Sequence, residues 1–433
     1  MPEVSKKITG EVAISKSRFS QSQKEIKNIA DFKERITASL AGEVTEILEV
    51  ILAGAIVLEA SDVHIEPLEE KAKVRSRIDG VLQDVLFIEK KIYEALLSRI
   101  KLISGLKLNI ADRPQDGRFS ILVEKATTEI RASALPAEYG ESIVLRILNP
   151  KSLIDMEALG LREDLLEVFK REIEKPNGMI VVTGPTGSGK TTTLYAFLRK
   201  LQKPEIKIIT IEDPIEYHLE GVSQTQTAPE RGYDFASGLK SIMRQDPDVI
   251  LVGEIRDLET ASIALQAALT GHLVFTTLHT NDAAGTIARI QALGEKPVNI
   301  APAINLAVAQ RLVRKVCKKC VKFGKPSTEE VKKIKKEVGL LKIKIPKITT
   351  VTKIPRVTGC RDCNFTGYRG RVGIFEAFLV DDEMEKFILT FPSITDLKEK
   401  AIKKGMVTMR QDGLIKVLKG ITTIEEVKRV AGE

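Results

Sequence analysis

One short stretch of the chain has the composition and spacing of a phosphate-binding loop. Gly184-Pro-Thr-Gly-Ser-Gly-Lys190-Thr191 fits the pattern GxxxxGK[ST], with an apolar run before it and a helical pattern after it. Glycines let backbone N–H groups turn toward an anion, and the N-terminus of the following helix adds its dipole. The lysine can reach β- and γ-phosphates, and the Thr191 hydroxyl can ligate Mg²⁺. We predict a nucleoside triphosphate site formed by Gly184, Pro185, Thr186, Gly187, Ser188, Gly189, Lys190, Thr191 and Thr192.

Two carboxylate clusters follow other short apolar runs. Glu212 comes directly after the run 208–211, and Glu254 follows the run 249–253. Because the carboxyl ends of parallel strands meet at the ligand crevice of an open sheet, both glutamates can face the phosphate loop. The second run resembles a Walker B strand, but Gly253 replaces its usual aspartate. The pattern therefore leaves the metal and general-base roles open between Glu254 and Glu212.

Two histidines flank the apolar run 273–278. A lone histidine is more often a core residue bonded to backbone than a catalytic group. The neighbourhood Thr276-Thr-Leu-His-Thr-Asn281, at the end of the run, favours a γ-phosphate sensor for His279. For His272 the structural and the catalytic interpretation are evenly balanced.

All four cysteines lie in two CxxC pairs, Cys317 with Cys320 and Cys360 with Cys363. Four thiolates in two close pairs suit a tetrahedral Zn²⁺ ion with no open position, which is a structural site. A redox-active pair is the alternative, and the presence of two pairs disfavours it. The lysines and the arginine inside the pairs offset the negative charge of such a centre.

The elements that must position these groups follow two patterns. Short apolar runs at 179–183, 207–211, 249–252 and 273–277 alternate with helical segments, which is typical of an α/β fold with a parallel sheet. The pattern of residues 42–149, which precede this α/β region, predicts an α+β domain with amphipathic helices near 44–56 and 90–103. Its strands are expected at 73–78, 81–87, 118–123, 128–134 and 142–148.

These patterns divide the chain into parts with expected boundaries. The order is a mobile arm (1–41), an α+β domain (42–149), a linker (150–160) and a phosphate-loop domain (161–433). The last part is expected to contain the four-cysteine module (311–370) and a mainly helical region (371–433).

Composition excludes several classes of protein. At 433 residues, with 43% hydrophobic and 29% charged residues, the chain is a multi-domain globular protein rather than a disordered, collagenous or coiled-coil one. The first forty residues lack the apolar segment of a secretory signal. The net charge of +8 comes from the segment between Arg311 and Lys353, which holds fifteen Lys or Arg against three Glu. Basicity is thus local, which argues against a protein that coats nucleic acid.

Several longer motifs resemble a known family, the secretion ATPase superfamily, and are closest to its type II secretion and type IV pilus assembly branch. Its Asp box, Walker B and His box are matched by the segments 208–217, 243–257 and 269–282, in that order behind the phosphate loop. Its second N-terminal domain is matched by the segments 60–67, 77–81, 113–118 and 140–146. The resemblance covers about residues 43–433.

The resemblance implies a RecA-like ATPase domain preceded by a smaller PAS-like α+β domain. It implies a cytoplasmic homo-hexamer, peripheral to the cell membrane, that uses ATP to drive assembly of pilin-like filaments through an inner-membrane platform protein. Arginines of the N-terminal domain reach the nucleotide in relatives, which points to Arg118, Arg131, Arg146 and Arg113 here. An arginine that stabilises the transferred phosphoryl group raises the rate by roughly 10³ to 10⁵.

A different class of protein competes with this interpretation. A nucleic-acid motor or DNA-uptake ATPase would use the basic segment to bind DNA, and its ATPase activity would rise with DNA and fall with salt. The secretion interpretation predicts stimulation by a platform protein or by acidic lipids. The chain has no tryptophan and only 5% aromatic residues, so it offers few stacking platforms for single strands. The motifs leave open whether a pilus, a secretion pseudopilus or a DNA-uptake apparatus is assembled.

Overall fold

A computed structural model describes residues 10–123, 126–149, 153–339, 341–346, 348–349 and 352–432. The chain forms two compact units. The first consists of Met1–Ser152 with Thr358–Arg369, and the second of Leu153–Val357 with Gly370–Glu433. Within the described ranges, every helix is too short or too polar to cross a membrane.

The first unit is built on a seven-stranded sheet with helices packed against it. Its elements are β1 (Glu11–Ile14), α1 (Lys16–Glu25), α2 (Ile29–Ser39), α3 (Val44–Val57), β2 (Asp62–Pro67), β3 (Lys71–Ile78), β4 (Val81–Glu89), α4 (Lys90–Ile103), β5 (Gln115–Val123), β6 (Ala126–Ala137) and β7 (Gly140–Leu148). The strand order is β1-β5-β6-β7-β2-β3-β4. Strand β1 pairs parallel with β5, and the pairs from β5 to β4 are antiparallel.

Local patterns explain most of these elements. Strand β3 alternates exposed and buried residues as a half-buried strand must, and α4 begins and ends at the predicted residues. The turn between β3 and β4 contains Asp79 and Gly80, which have φ angles of 52° and 79°. A two-residue hairpin with a type I′ turn requires positive φ at both of its central residues.

The N-terminal segment differs from the expected mobile arm, because β1, α1 and α2 are folded into the first unit. Val12, Ile26, Phe32 and Ile36 are buried in the same core as α3 and α4. Helix α2 carries Ile29, Phe32 and Ile36 at helical spacing, a short apolar period that indicates a buried face. The burial of β1 depends instead on pairing with β5, more than a hundred residues away in sequence, and a local pattern does not reveal such pairing.

The segment Thr358–Arg369 joins the first unit through the start of α2. The N–H of Ile29 donates to Oδ1 of Asn364 at 2.7 Å, and Nη2 of Arg361 lies 2.9 Å from Oδ1 of Asp31. The first N–H groups of a helix have no partner inside the helix. The side chain of Asn364 therefore supplies the hydrogen-bond acceptor that the helix cannot offer to the N–H of Ile29.

The second unit contains the other elements. They are α5 (Glu163–Ile173), β8 (Gly178–Thr183), α6 (Lys190–Leu201), β9 (Ile208–Glu212), β10 (Ser223–Gln226), α7 (Phe235–Ile242), β11 (Val249–Val252), α8 (Leu258–Leu269), β12 (Leu273–Leu278), α9 (Gly285–Ala292), α10 (Pro297–Ile300), β13 (Ile304–Val316), β14 (Val321–Gly324), α11 (Thr328–Val338), β15 (Ile354–Val357), β16 (Tyr368–Leu379), α12 (Asp382–Ile388), α13 (Ile394–Lys403), α14 (Met409–Leu418) and α15 (Ile424–Ala431).

A seven-stranded sheet forms the centre of this unit, in the order β10-β9-β11-β12-β8-β13-β16. The strands from β10 to β13 are parallel to their neighbours. Strands β8, β9, β11 and β12 are buried along their whole length. Successive residues of one strand, such as Val181 and Val182, lie in two different hydrophobic clusters, one with α7 and α8 and one with α5 and α6. Helices thus cover both faces of the sheet, and the α/β fold class with its four predicted strands is confirmed.

The C-terminal part is mainly helical, as predicted, and contains α12, α13, α14 and α15. Helices α11, α14 and α15 form a smaller hydrophobic cluster with β15, whose partner in an antiparallel two-stranded sheet is β14. The four-cysteine module was expected to begin at residue 311, and this position lies inside β13 (Ile304–Val316), a strand of the central sheet.

Candidate functional site

The phosphate loop lies between the end of β8 and the start of α6. Glycine is required at Gly184 and Gly189, which have φ angles of 148° and 88°. A side chain at Gly184 would place its Cβ 2.4 Å from the backbone oxygen of Gln310 on β13. The buried Ser188 hydroxyl has no hydrogen-bond partner among the residues that the structure describes. The loop thus keeps polar groups available at the N-terminus of a helix, where an anion binds.

Lys190 extends along the loop that carries it. Its Nζ donates to the carbonyl oxygen of Gly184 at 2.8 Å. Burial lowers the pKa of Lys190, and the nearby carboxylates of Glu254 and Glu216 act in the opposite direction. Glu254 therefore lies within electrostatic reach of the lysine of the phosphate loop.

Gln310 on β13 packs against the phosphate loop and the start of α6. The sequence patterns did not predict this role. Gln310 is 2% exposed, and its Oε1 accepts a hydrogen bond from the Thr193 hydroxyl on α6 at 2.7 Å. A Cβ at Gly189 would lie 2.9 Å from Nε2 of Gln310. No local motif marks this glutamine, because the contact depends on β13 lying next to β8.

The order of the strands brings the predicted groups to one edge of the sheet. Strands β9, β11, β12 and β8 are consecutive neighbours and run parallel. Glu212, Glu254, His279 and the phosphate loop occupy their carboxyl ends, one group per strand. This is the ligand-binding edge of an open parallel sheet.

Glu254 follows β11 by two residues and is partly open, with 16% of its side chain exposed. Oε2 lies 3.3 Å from Nε2 of His279, and Oε1 accepts a short hydrogen bond from Arg256. That hydrogen bond raises the pKa of Arg256. The carboxylate is thus held by two neighbours while it stays accessible from the edge of the sheet.

Glu212 ends β9 in a closed environment and is 4% exposed. It accepts hydrogen bonds from the Thr210 hydroxyl at 2.6 Å, from the Gln224 amide at 3.2 Å and from the Tyr195 hydroxyl. Burial raises the pKa of Glu212, and these three hydrogen bonds oppose the shift. Burial also raises the pKa of Tyr195. Both oxygens of this carboxylate therefore already accept hydrogen bonds from protein donors.

The two histidines lie at opposite ends of β12. His279 follows the carboxyl end, with 52% of its side chain exposed. His272 precedes Leu273, which pairs with Gly178 at the start of β8, and its Nδ1 lies 3.0 Å from the carbonyl oxygen of Ala267. Seven residue steps along β12 separate the two histidines by about 23 Å, at about 3.3 Å per strand residue. The structure therefore brings His279, and not His272, to the phosphate edge.

Three of the predicted arginines form a row across the sheet of the first unit. Arg118 on β5 pairs with Arg131 on β6, which pairs with Arg146 on β7. The row continues through Asp62 on β2 to Arg77 on β3. Directly opposed residues of antiparallel strands point to the same face, so these side chains share one surface. Arg77 belongs to a matched motif, but only the register between β2 and β3 shows that it extends the row.

Charges within the row are partly balanced. Nε of Arg146 lies 3.1 Å from Oδ1 of Asp62, and Nε of Arg77 lies 3.4 Å from Oδ2 of the same residue. Glu129 lies 3.8 Å from Arg131. Arg113 is exposed in the loop before β5 and is not part of the row. Along the row itself, four arginines and the single carboxylate of Asp62 give a net positive charge.

The cysteine sulfur atoms form a cluster. The Sγ atoms of Cys317, Cys320, Cys360 and Cys363 all lie within 4.8 Å of one another. Those of Cys360 and Cys363 are 3.7 Å apart. A tetrahedral zinc with Zn–S bonds of about 2.3 Å needs sulfur atoms about 3.8 Å apart. The N–H groups of Cys360 and Gly367 also point at Sγ of Cys363, at 3.2 Å each, and such bonds stabilise a thiolate ligand. The donor set fits zinc.

Comparisons with known proteins agree with this geometry. A family model described as Type II/IV secretion system protein matches residues 38–429. Type II secretion system protein E of Xanthomonas campestris pv. campestris is 45% identical over 390 residues, which are 89% of this chain and 67% of the relative. Type IV pilus assembly ATPase PilB of Myxococcus xanthus is 43% identical over 388 residues, again 89% of this chain and 67% of the relative.

A solved structure of a related ATPase also resembles this chain. The crystal structure of the pilus retraction motor PilT with bound ADP aligns with a TM-score of 0.58 and 27% identity, over 88% of this chain and 95% of that one. The resemblance seen in the sequence motifs is confirmed by the family model and by these relatives. The chain is an ATPase, and it belongs to the type II/IV secretion system protein family.

Proposed function

We propose that this chain works as a cytoplasmic hexamer that hydrolyses ATP to power the assembly of type IV pilus or type II secretion pseudopilus filaments. Its partner is an inner-membrane platform protein, and it contacts the anionic face of the membrane peripherally. The observation that carries the proposal is the edge where the phosphate loop, Glu254 and His279 follow consecutive strands. Relatives named for type II secretion and for type IV pilus assembly both support it.

At this edge we assign the binding of ATP to the phosphate loop. The backbone N–H groups of 184–190 and the Lys190 ammonium hold the β- and γ-phosphates, and the Thr191 hydroxyl at the start of α6 is the ligand for Mg²⁺. Bound Mg²⁺ neutralises charge on the phosphates. Thr191 and Thr192 lie in the first turn of α6, where the helix dipole favours the same anion.

For hydrolysis we assign Glu254 to the attacking water. The carboxylate is accessible, and contacts with its neighbours fix its orientation. It can accept a proton from water as the water oxygen bonds to the γ-phosphorus and the bond from the γ-phosphorus to the β,γ-bridging oxygen breaks, which releases ADP and phosphate. His279, beside it, is placed to sense the γ-phosphate. Glu212, whose oxygens are occupied by three protein donors, supports the edge instead of acting on water.

Arginines complete the proposed chemistry. The row of Arg118, Arg131 and Arg146, extended by Arg77, offers guanidinium groups to the negative charge that develops on the transferred phosphoryl group. Arg113, outside the row, enters the proposal only through the matched motif.

The four cysteines are assigned to a structural zinc ion. All four ligands come from protein, which leaves no open position for water or substrate. Bound zinc would tie the two CxxC turns together without taking part in hydrolysis.

Substitution of Lys190 tests the phosphate site directly. The Lys190→Ala chain should lose most of its affinity for ATP in the presence of magnesium, because a charged donor to the β- and γ-phosphates is removed. Lys200→Ala is the matched control, since Lys200 is an exposed lysine of the same helix. Nucleotide retention is measured by equilibrium dialysis with labelled ATP. Equal retention by both variants would refute the assignment of the loop.

A further inference from the structure

The segment 279–285, which joins β12 to α9 and includes the first residue of α9, is attached at both of its ends. One end lies at the phosphate edge and the other contacts the C-terminal part of the second unit. Segments between strands and helices ordinarily run freely over a surface. Attachment at two ends instead makes this segment a physical connection between two regions.

At the phosphate end, Thr183 holds the segment. The N–H of Thr280 donates to the Thr183 hydroxyl at 2.7 Å, and the two hydroxyl oxygens are 2.8 Å apart. Thr183 is the last residue of β8 and directly precedes Gly184. His279, next to Thr280, lies beside Glu254. A displacement of Thr280 would therefore move the histidine relative to the proposed catalytic carboxylate.

At the other end, a buried carboxylate holds the segment. Glu376 on β16 is 2% exposed, and its Oε1 accepts the N–H of Ala283 at 2.9 Å. Its Oε2 accepts the N–H of Met409, the first residue of α14, at 3.1 Å. Burial raises the pKa of Glu376, and the two backbone N–H groups oppose that shift. One side chain thus joins three elements through charge-assisted hydrogen bonds.

An ion pair adds a second attachment at this end. Nζ of Lys398 on α13 lies 3.0 Å from Oδ2 of Asp282, whose Oδ1 accepts the N–H of Gly285 at 2.9 Å. Asp282 is thereby fixed both to α13 and to the start of α9. The segment is held by the two C-terminal helices α13 and α14 through two independent side chains.

We propose that Glu376 and Lys398 are positioning residues for ATP hydrolysis. They hold the segment 279–285 so that His279 stays beside Glu254, and they connect this segment to α13 and α14. Neither residue touches the nucleotide site, so both act through His279. The inference rests on the proposed role of the Glu254 and His279 pair and extends it to the C-terminal helices.

A double-mutant cycle tests this connection. Glu376→Gln keeps the size of the side chain but replaces one acceptor by an amide donor, and Lys398→Gln removes the ion pair at a residue that is 38% exposed. Each change should lower kcat about tenfold, because small displacements of catalytic groups are costly, while KM for ATP stays within about twofold. In combination with His279→Ala, neither should lower kcat much further, since all act through one group.

Controls separate positioning from general stability. Lys400→Gln is matched to Lys398→Gln, because it removes an ion pair with Glu383 from the same helix and leaves Asp282 untouched. This variant should retain the kcat of the unmodified chain. If Glu376→Gln does not fold, Lys398→Gln carries the test alone.

The outcomes distinguish a failure of the proposed role of His279 from a failure of the proposed connection to the C-terminal helices. If His279→Ala leaves kcat unchanged, the proposed role of His279 fails and the inference fails with it. If His279→Ala lowers kcat but the effect of Lys398→Gln adds to it in full, the proposed site stands and the connection is overturned. A rise of KM with an unchanged kcat in Lys398→Gln would likewise overturn it.

Discussion

The ends of β9 and β11 lie side by side in one parallel sheet, and each carries a glutamate that faces the same edge. Glu212 is 4% exposed and accepts hydrogen bonds from three side chains. Glu254 is more accessible and is bonded to Arg256 and His279. Two residues of identical chemistry at the same edge of the sheet therefore have different capacities. The surroundings of each carboxylate, and not its type or its strand, decide whether it can act on water.

The largest effect is expected for Glu254→Gln. Loss of a general base lowers turnover by about 10²- to 10⁴-fold, while the phosphate loop still binds ATP. Glu212→Gln should stay within about tenfold of the original rate, because Glu212 is given no contact with substrate. Steady-state phosphate release and nucleotide retention measure both variants. A larger loss of turnover in Glu212→Gln would reverse the assignments.

A smaller effect is expected on stability, where substitution of Glu212 should cost more than substitution of Glu254. Glu212→Ala leaves the donors of Tyr195, Thr210 and Gln224 buried without their acceptor, and should cost about 2–4 kcal/mol of unfolding free energy. Glu254→Ala should cost less than about 1 kcal/mol, because water can reach its position. The midpoints of urea unfolding compare the two variants. Equal losses would mean that the two environments are not as different as their exposure indicates.

The smallest effect concerns pH. Burial raises the pKa of Glu212 above its ordinary value of 4.5, so the folded chain keeps this proton to a higher pH than the unfolded chain does. The stabilisation from this group is complete below that ordinary value, and it is lost as pH rises toward the raised pKa. Glu212→Gln has no proton to lose here. Its stability relative to the original chain should increase with pH across this window and then level off.

A carboxylate with the opposite shift provides the control. Burial acts to raise the pKa of Glu426, but hydrogen bonds from Arg429 and Arg314 outweigh it and lower the pKa to about 2. Its stabilisation is present above pH 4.5 and is lost as pH falls toward about 2. Glu426→Gln should therefore lose stability relative to the original chain as pH rises from 2 to 4.5. The same slope for both variants would contradict the argument.

The parts of the site that the sequence predicts are those set by local patterns. The phosphate loop is a contiguous motif, and four strands at the centre of the sheet are continuous apolar runs. Parallel order then brings Glu254 and His279 to one edge. The sequence could not separate Glu254 from Glu212, because Tyr195 and Gln224 reach Glu212 only through tertiary packing.

The register in which distant strands pair is the second feature that the sequence does not predict. Arg118 and Arg146 lie in matched motif segments, but their alignment in one row with Arg131 and Arg77 depends on the register of five strands. Gln310 and Glu376 carry no motif, and their roles depend on which strands neighbour β8 and which helix begins at Met409. Long-range contacts of this kind have no periodic signal in the sequence.

The chain enters the first unit twice, and this affects how it can be dissected. A fragment ending at Ser152 would contain the sheet of that unit but would lack Thr358–Arg369. The start of α2 would then lose its hydrogen bond from Ile29 to Asn364 and the ion pair of Asp31 with Arg361. Truncated versions for biophysical work are therefore better designed by grafting the missing twelve residues back than by a single cut.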